Sequence, residues 1–149
     1  MTVKGLLARK GSAVTTIHPE RPLRRAMSTM IQERIGALPC VCPDGGLVGI
    51  ITERDIFRYL YHCPDAVSNT VVADIMTQEL IVGIPDDDLD YIAQIITSNR
   101  IRHVPIVEQE RLIGIVSIGD IVKARFEDAS VTNRYLMEYI NGGPALGLF

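Results

Sequence analysis

At 149 residues the chain has the length of a single domain, and 47% hydrophobic against 22% charged residues excludes a disordered or fibrous protein. A net charge of −3 and a pI near 5.6, with scattered basic residues, lack the positive field that draws proteins onto nucleic acid or anionic membranes. Met1 to Lys10 carries charge without an apolar core, and no later segment holds about 18 uncharged apolar residues in a row, so a cytoplasmic protein is expected.

In chain order, Val3 to Lys10 reads as a leading segment, and Val14 to Ile17 as a short β-branched strand ended by Pro19. Leu23, Ala26, Met27, Met30 and Ile31 recur at helical spacing. Leu38 to Cys42 and Leu47 to Thr52 read as two strands joined by an Asp-Gly turn, the second apolar on both faces and so covered on both sides. Thr52 is placed to cap a helix over Ile56 to Tyr61. A polar connection, Cys63 to Thr70, leads to a helical turn over Val71 to Met76.

The same succession then returns. Leu80 to Ile84 is a strand ended by Pro85, and Asp86 to Asp88 are placed to cap a helix carrying Leu89, Ile92, Ala93, Ile95 and Ile96. Val104 to Val107 and Leu112 to Ser117 form the second hairpin, and Ser117 precedes a helix over Ile121 to Phe126. A last helix, Val131 to Ile140, carries Tyr135, Met137, Tyr139 and Ile140, ends at Gly142-Gly143-Pro144, and is expected to lie outside the repeat against a partner subunit.

The two halves align residue by residue. Pro39 answers Pro105 at an offset of 66, as Leu23 answers Leu89, Met30 Ile96 and Arg34 Arg100; past the hairpin turn the offset falls to 65, so that Asp55 answers Asp120. The missing residue falls in a surface turn. The expected fold class is therefore α/β (α+β), with two β-α-β-β-α repeats packed about a pseudo-twofold axis and two equivalent clefts between them. The expected divisions are residues 1–64, 65–126 and 127–149.

Three cysteines, Cys40, Cys42 and Cys63, are an odd count. Cys40 and Cys42, two apart on a strand, are expected on one side, and with Cys63 and His62 they make a conceivable zinc set whose spacing is unlike the usual knuckle; buried apolar thiols are the expectation.

The doubled Gly-h-h-Thr/Ser-x-x-Asp pattern, preceded each time by h-x-x-h-Pro, resembles a tandem pair of CBS domains, the Bateman module, over Val14 to Phe126. The resemblance implies a homodimer, often a flat disc of four repeats, whose clefts bind AMP, ATP, NAD(H) or a related adenosine compound. It implies a regulatory module signalling to an effector protein rather than an enzyme, and no nucleophile motif, P-loop or His-Glu-x-x-His is present. A ligand-free interaction scaffold and an S-adenosylmethionine-binding module are the alternatives.

In such clefts Asp55 and Asp120 suit the ribose hydroxyls, and the Thr52 and Ser117 hydroxyls with free helix N–H groups suit a phosphate. All four could serve simply as helix caps, but capping does not require threonine and aspartate together, so their pairing in both repeats points to a ligand. Arg54, Arg102 and His103 are phosphate candidates, while the first repeat has Gly36 and Ala37 where the second has Arg102 and His103, which makes the clefts unequal. Thr15, Thr16 and Leu38 in one repeat and Val82 and Val104 in the other are the candidates for an apolar adenine slot, with Gly49 and Gly114 allowing close approach to the strand.

Overall fold

The structure is a computed structural model that describes residues 1–141, with side chains described through residue 129. Each repeat contributes one antiparallel hairpin and its helices. Helix α1 spans Val3–Lys10, α2 Leu23–Glu33, strands β1 Ala37–Val41 and β2 Leu47–Thr52, and α3 Glu53–His62. After a 3-10 turn over Val67–Asn69 come α4 Val72–Ile75, α5 Leu89–Asn99, β3 His103–Glu108, β4 Arg111–Ser117 and α6 Ile118–Asn141.

Two expectations need correction. The opening strand of each repeat is reduced to one parallel bridge, Ile17 to Cys40 and Gly83 to Ile106. Proline explains both. A parallel ladder extending from Ile17 would need an N–H from Pro39 on one side and from Pro19 and Pro43 on the other, and none has one. Pro105 and Pro85 hold the same places around Gly83. The second correction concerns the end of the chain: no break separates the expected helices near Phe126 and Val131, because α6 runs unbroken from Ile118 to Asn141. The expected turn at Gly142-Gly143-Pro144, and the side chains of Tyr135, Met137, Tyr139 and Ile140, lie outside the described residues.

The hairpins match the repeat. Leu38 pairs with Ile51 and Val104 with Val116, each hairpin carrying one bulge, between Cys40 and Val41 or between Ile106 and Val107. Helices α2 and α5 both end at an arginine in the left-handed region, Arg34 (φ 56°) and Arg100 (φ 54°).

Two cores form, and the leading helices change places between them. Val3, Leu6 and Leu7 of α1 pack with Leu89, Ile92, Val104, Ile106 and Val116 of the second repeat. Val72 of α4 packs with Leu23, Ala26, Met30, Leu38 and Ile51 of the first. Backbone bonds fix the exchange: Val3 N–H donates to the Asp87 carbonyl and Lys4 N–H to that of Pro85, as Val72 N–H donates to Arg21 and Ala73 N–H to Pro19. Over Gly49 lies Met76, whose sulfur would stand 2.6 Å from a Cβ, and over Gly114 lies Leu7, at 2.8 Å. These glycines therefore serve the close approach of the leading helices, and the space an adenine would need over them is filled.

Among the cysteines, Cys40 is buried, Cys42 half-buried and Cys63 exposed beyond α3. Burial pushes the Cys40 thiol up to about 12. The expectation of buried thiols is thus corrected for Cys63, and among the described residues no group of three or more potential ligands is placed to hold a metal ion. No helix among them is long and apolar enough to cross a membrane.

Candidate functional site

The end of β2 and the start of α3 form the first wall of a cleft. Thr52 caps α3: its hydroxyl accepts from Asp55 N–H at 3.2 Å, while Asp55 Oδ2 accepts from Thr52 N–H at 2.9 Å and from its hydroxyl at 3.0 Å. Ser117 and Asp120 repeat this reciprocal cap at the start of α6, at 3.0 and 2.8 Å. The capping box uses both residue types, so the coupling of hydroxyl and carboxylate has a structural origin in each repeat, contrary to the expectation that capping does not require the two together. What remains for a ligand is the other oxygen of Asp55, Oδ1, which accepts from the Thr77 hydroxyl at 3.2 Å.

The opposite wall comes from the second repeat. The cavity is about 460 Å³ in volume and is lined by Gly36, Ile50, Thr52, Arg54, Asp55 and Arg58 on one side and by Leu80, Ile81, Arg100, Ile101, Arg102, His103 and Pro105 on the other. Arg54 reaches across it, its guanidinium donating to the Arg100 carbonyl at 3.0 Å. Four arginines, Arg54, Arg58, Arg100 and Arg102, thus line one cavity together with Glu53, Asp55 and Glu79 and with apolar residues of both repeats. Burial and the adjacent Arg102 guanidinium hold the His103 imidazole below its ordinary pKa, so it is neutral at pH 7.

Of the sequence candidates, Thr52, Arg54, Asp55, Arg102 and His103 meet in this cavity. Ser117 and Asp120 stand at the pseudo-equivalent place, where Lys10 Nζ lies 2.7 Å from Asp120 Oδ2. Leu38 and Val104 are fully buried in the two cores, so no face of theirs is open to a ligand, a correction of the adenine-slot expectation. Thr15 and Thr16 are exposed and Val82 is 38% exposed, and none of the three lines the cavity. Leu80 and Ile81, immediately before Val82, line it instead.

Arg58, Arg100, Thr77 and Lys10 went unread as site residues. Arg58 is one helical turn past Arg54 and so on the same face, and Arg100 was visible as the repeat of Arg34. Thr77 and Lys10 carry no local signal.

The model of the CBS domain family matches twice, over residues 9–62 and 72–127. The chain is 40% identical over 122 residues to the mitochondrial CBS domain-containing protein CBSX3 of Arabidopsis thaliana, covering 79% of this chain and 59% of that one. A CBS-domain containing protein from Agrobacterium tumefaciens superposes with a TM-score of 0.80 at 38% identity, covering 84% of this chain and 99% of that chain. A CBS domain pair solved in complex with 5-methylthioadenosine and S-adenosyl-L-methionine superposes with a TM-score of 0.74 at 30% identity, covering 86% and 98%. Two matched repeats on this fold settle the lineage: the chain belongs to the CBS-domain family, as a tandem pair.

Proposed function

We propose that the chain is a regulatory module that binds a phosphate-bearing adenosine compound, AMP, ATP or NAD(H), in the cleft between Thr52-Asp55 and Arg100-His103, and is not itself an enzyme. The observation that carries this reading is one cavity lined by four arginines, by apolar residues and by a carboxylate at a helix start. Asp55 Oδ1 suits the ribose, the guanidinium groups the phosphates, and Ile50, Leu80, Ile81 and Pro105 the base. The adenosine ligands of the similar CBS pair support the class of ligand. S-adenosylmethionine has no phosphate and offers the arginines only its α-carboxylate, so four guanidinium groups favour a ligand with more negative charge. Binding favours one packing of the repeats, and that difference is what an effector protein reads.

Thermal melting of nucleotide-stripped protein with AMP, ADP, ATP, NAD, NADH and S-adenosylmethionine tests this. A ligand near 100 Kd adds about 2.7 kcal/mol to the folded state. A rise with one or more phosphate-bearing compounds is expected. No rise with any compound would leave a ligand-free interaction scaffold as the better reading, and a rise with S-adenosylmethionine alone would replace the nucleotide by that ligand.

The module also works as a homodimer in this proposal. Phe57 and Tyr61 on α3 are 75% and 78% exposed, and their repeat equivalents on α6, Val122 and Phe126, are 60% and 56% exposed. Large apolar side chains one turn apart on equivalent helices form the kind of patch that a second copy covers. Light scattering should give twice the chain mass, and Phe57→Glu with Tyr61→Glu should halve it; a monomeric wild type would remove the dimer from the proposal.

A further inference from the structure

Helix α6 is longer than the repeat requires. It has 24 residues where its repeat equivalent α3 has 10, so at about 1.5 Å per residue it reaches about 36 Å. Its buried share of the described core ends early, with Ile121 and Ala124. A second line begins beside that one and runs on: Val122, Phe126, Ala129, Asn133, Leu136 and Ile140 follow one another at alternating steps of four and three residues. We propose that this line is the seam of a short, parallel, two-stranded coiled coil between α6 of two copies of the chain.

The two lines on α6 are already separate where its side chains are described. Ile121 and Ala124 are 4% and 3% exposed, whereas Val122 and Phe126 are 60% and 56% exposed and Ala129 is exposed as well. One residue advances a helix by about 100°, so six positions at this spacing stay within an arc of about 80° along the whole length. In the first repeat the equivalent line, Phe57 and Tyr61, is cut short, because α3 ends at His62 and Pro64 stands where Ala129 does. Only α6 carries the line beyond its own repeat.

The residue types fit a second copy of the same helix. With Val122, Ala129 and Leu136 at position d and Phe126, Asn133 and Ile140 at position a, the line has the 3.5-residue period that winds two helices about each other. Ile140 at a beside Leu136 at d favours two strands, and a single Asn at a fixes register and strand number at a cost in stability. In a parallel pair about a twofold axis Asn133 faces its own counterpart, which gives its amide a partner. The seam is continuous with Val122 and Phe126 of the dimer patch, and a projecting helix too short to be stable alone in water gains the packing it needs. Such a pair sets the second repeats of the two chains side by side.

The coiled coil rests on the proposed dimer, but the two fail differently. In the full chain with Cys42→Ser and Cys63→Ser, Leu136→Cys places a thiol in the seam and Glu138→Cys one on the opposite side of the helix. Non-reducing electrophoresis after mild oxidation is expected to show a covalent dimer for Leu136→Cys and little for Glu138→Cys. Sedimentation equilibrium is expected to show the dimer Kd raised about tenfold or more by Leu136→Lys with Ile140→Lys. Neither residue belongs to the described cores, so that chain should still unfold cooperatively. No preference for position 136 in the cross-link, or an unchanged Kd, would overturn the coiled coil. A wild type that keeps twice the chain mass under that result leaves the dimer standing, and a monomeric wild type overturns both.

Discussion

His103 is the residue whose charge state is most exposed to the contents of the cleft. Burial and Arg102 lower its pKa, Lys10 adds to the lowering, and Asp120 and Glu53 oppose it. A bound phosphate would offset Arg102 and favour the imidazolium, so the His103 pKa should rise on nucleotide binding and affinity should increase as pH falls through the bound-state value. Histidine ring resonances followed by NMR with and without AMP check this, and an unchanged titration would take His103 off the phosphate. The unliganded protein gives a second sign. With the folded value depressed, the unfolded chain takes the proton first, so the His103 contribution is present above the ordinary value of 6.5 and is lost as pH falls below it. The residue types at this site were readable from the repeat, because Thr52, Asp55, Arg102 and His103 all sit in motifs that recur or pointedly fail to recur. The reciprocal cap is a local Thr/Ser-x-x-Asp pattern too, but which carboxylate oxygen it leaves over is decided only by the fold: Asp55 Oδ1 is met by Thr77, 22 residues on.

At the scale of the element, the glycines of β2 and β4 decide how closely the leading helices can lie against the hairpins. A Cβ at Gly114 would stand 2.8 Å from both methyl carbons of Leu7, and one at Gly49 would meet Met76 at 2.6 Å and the Thr77 carbonyl at 3.1 Å. Gly114→Val should therefore destabilise the fold by about 2 kcal/mol, within the range of overpacked cores. The backbone contact at Gly49 cannot rotate away, so Gly49→Val should cost more. Urea unfolding midpoints measure both; a neutral Gly114→Val would mean that α1 shifts freely. The hydrophobic spacing placed the helices and hairpins to within a few residues, because period and capping are local. The opening strands failed for an equally local reason, the missing N–H groups of Pro19, Pro39, Pro85 and Pro105, which cut each ladder to a single bridge.

For the whole molecule, the exchange of leading helices means that neither repeat owns its core. Removing residues 1–10 would strip Val3, Leu6 and Leu7, which are 0%, 4% and 8% exposed, from the second repeat. At ~1.5–3 kcal/mol for each fully buried aliphatic side chain the loss is on the order of 5 kcal/mol, comparable to the ~5–15 kcal/mol that holds a typical domain folded. The truncated chain should lose its cooperative urea transition; retention of a wild-type midpoint would show that the exchanged helix contributes nothing. Likewise, a chain ending at residue 64 would lack Val72, which is fully buried in the first core.

The sequence by itself determined the doubled repeat, the element order, the helix caps and the family, because each depends on residues within a short window or on the same window read twice. Only the tertiary structure decided which core α1 joins, that Arg54 of one repeat faces Arg100 of the other, and that Lys10 meets Asp120 across 110 positions of chain. No local spacing encodes such contacts, since they arise only when two apolar faces, each too small to be stable alone, are buried against one another.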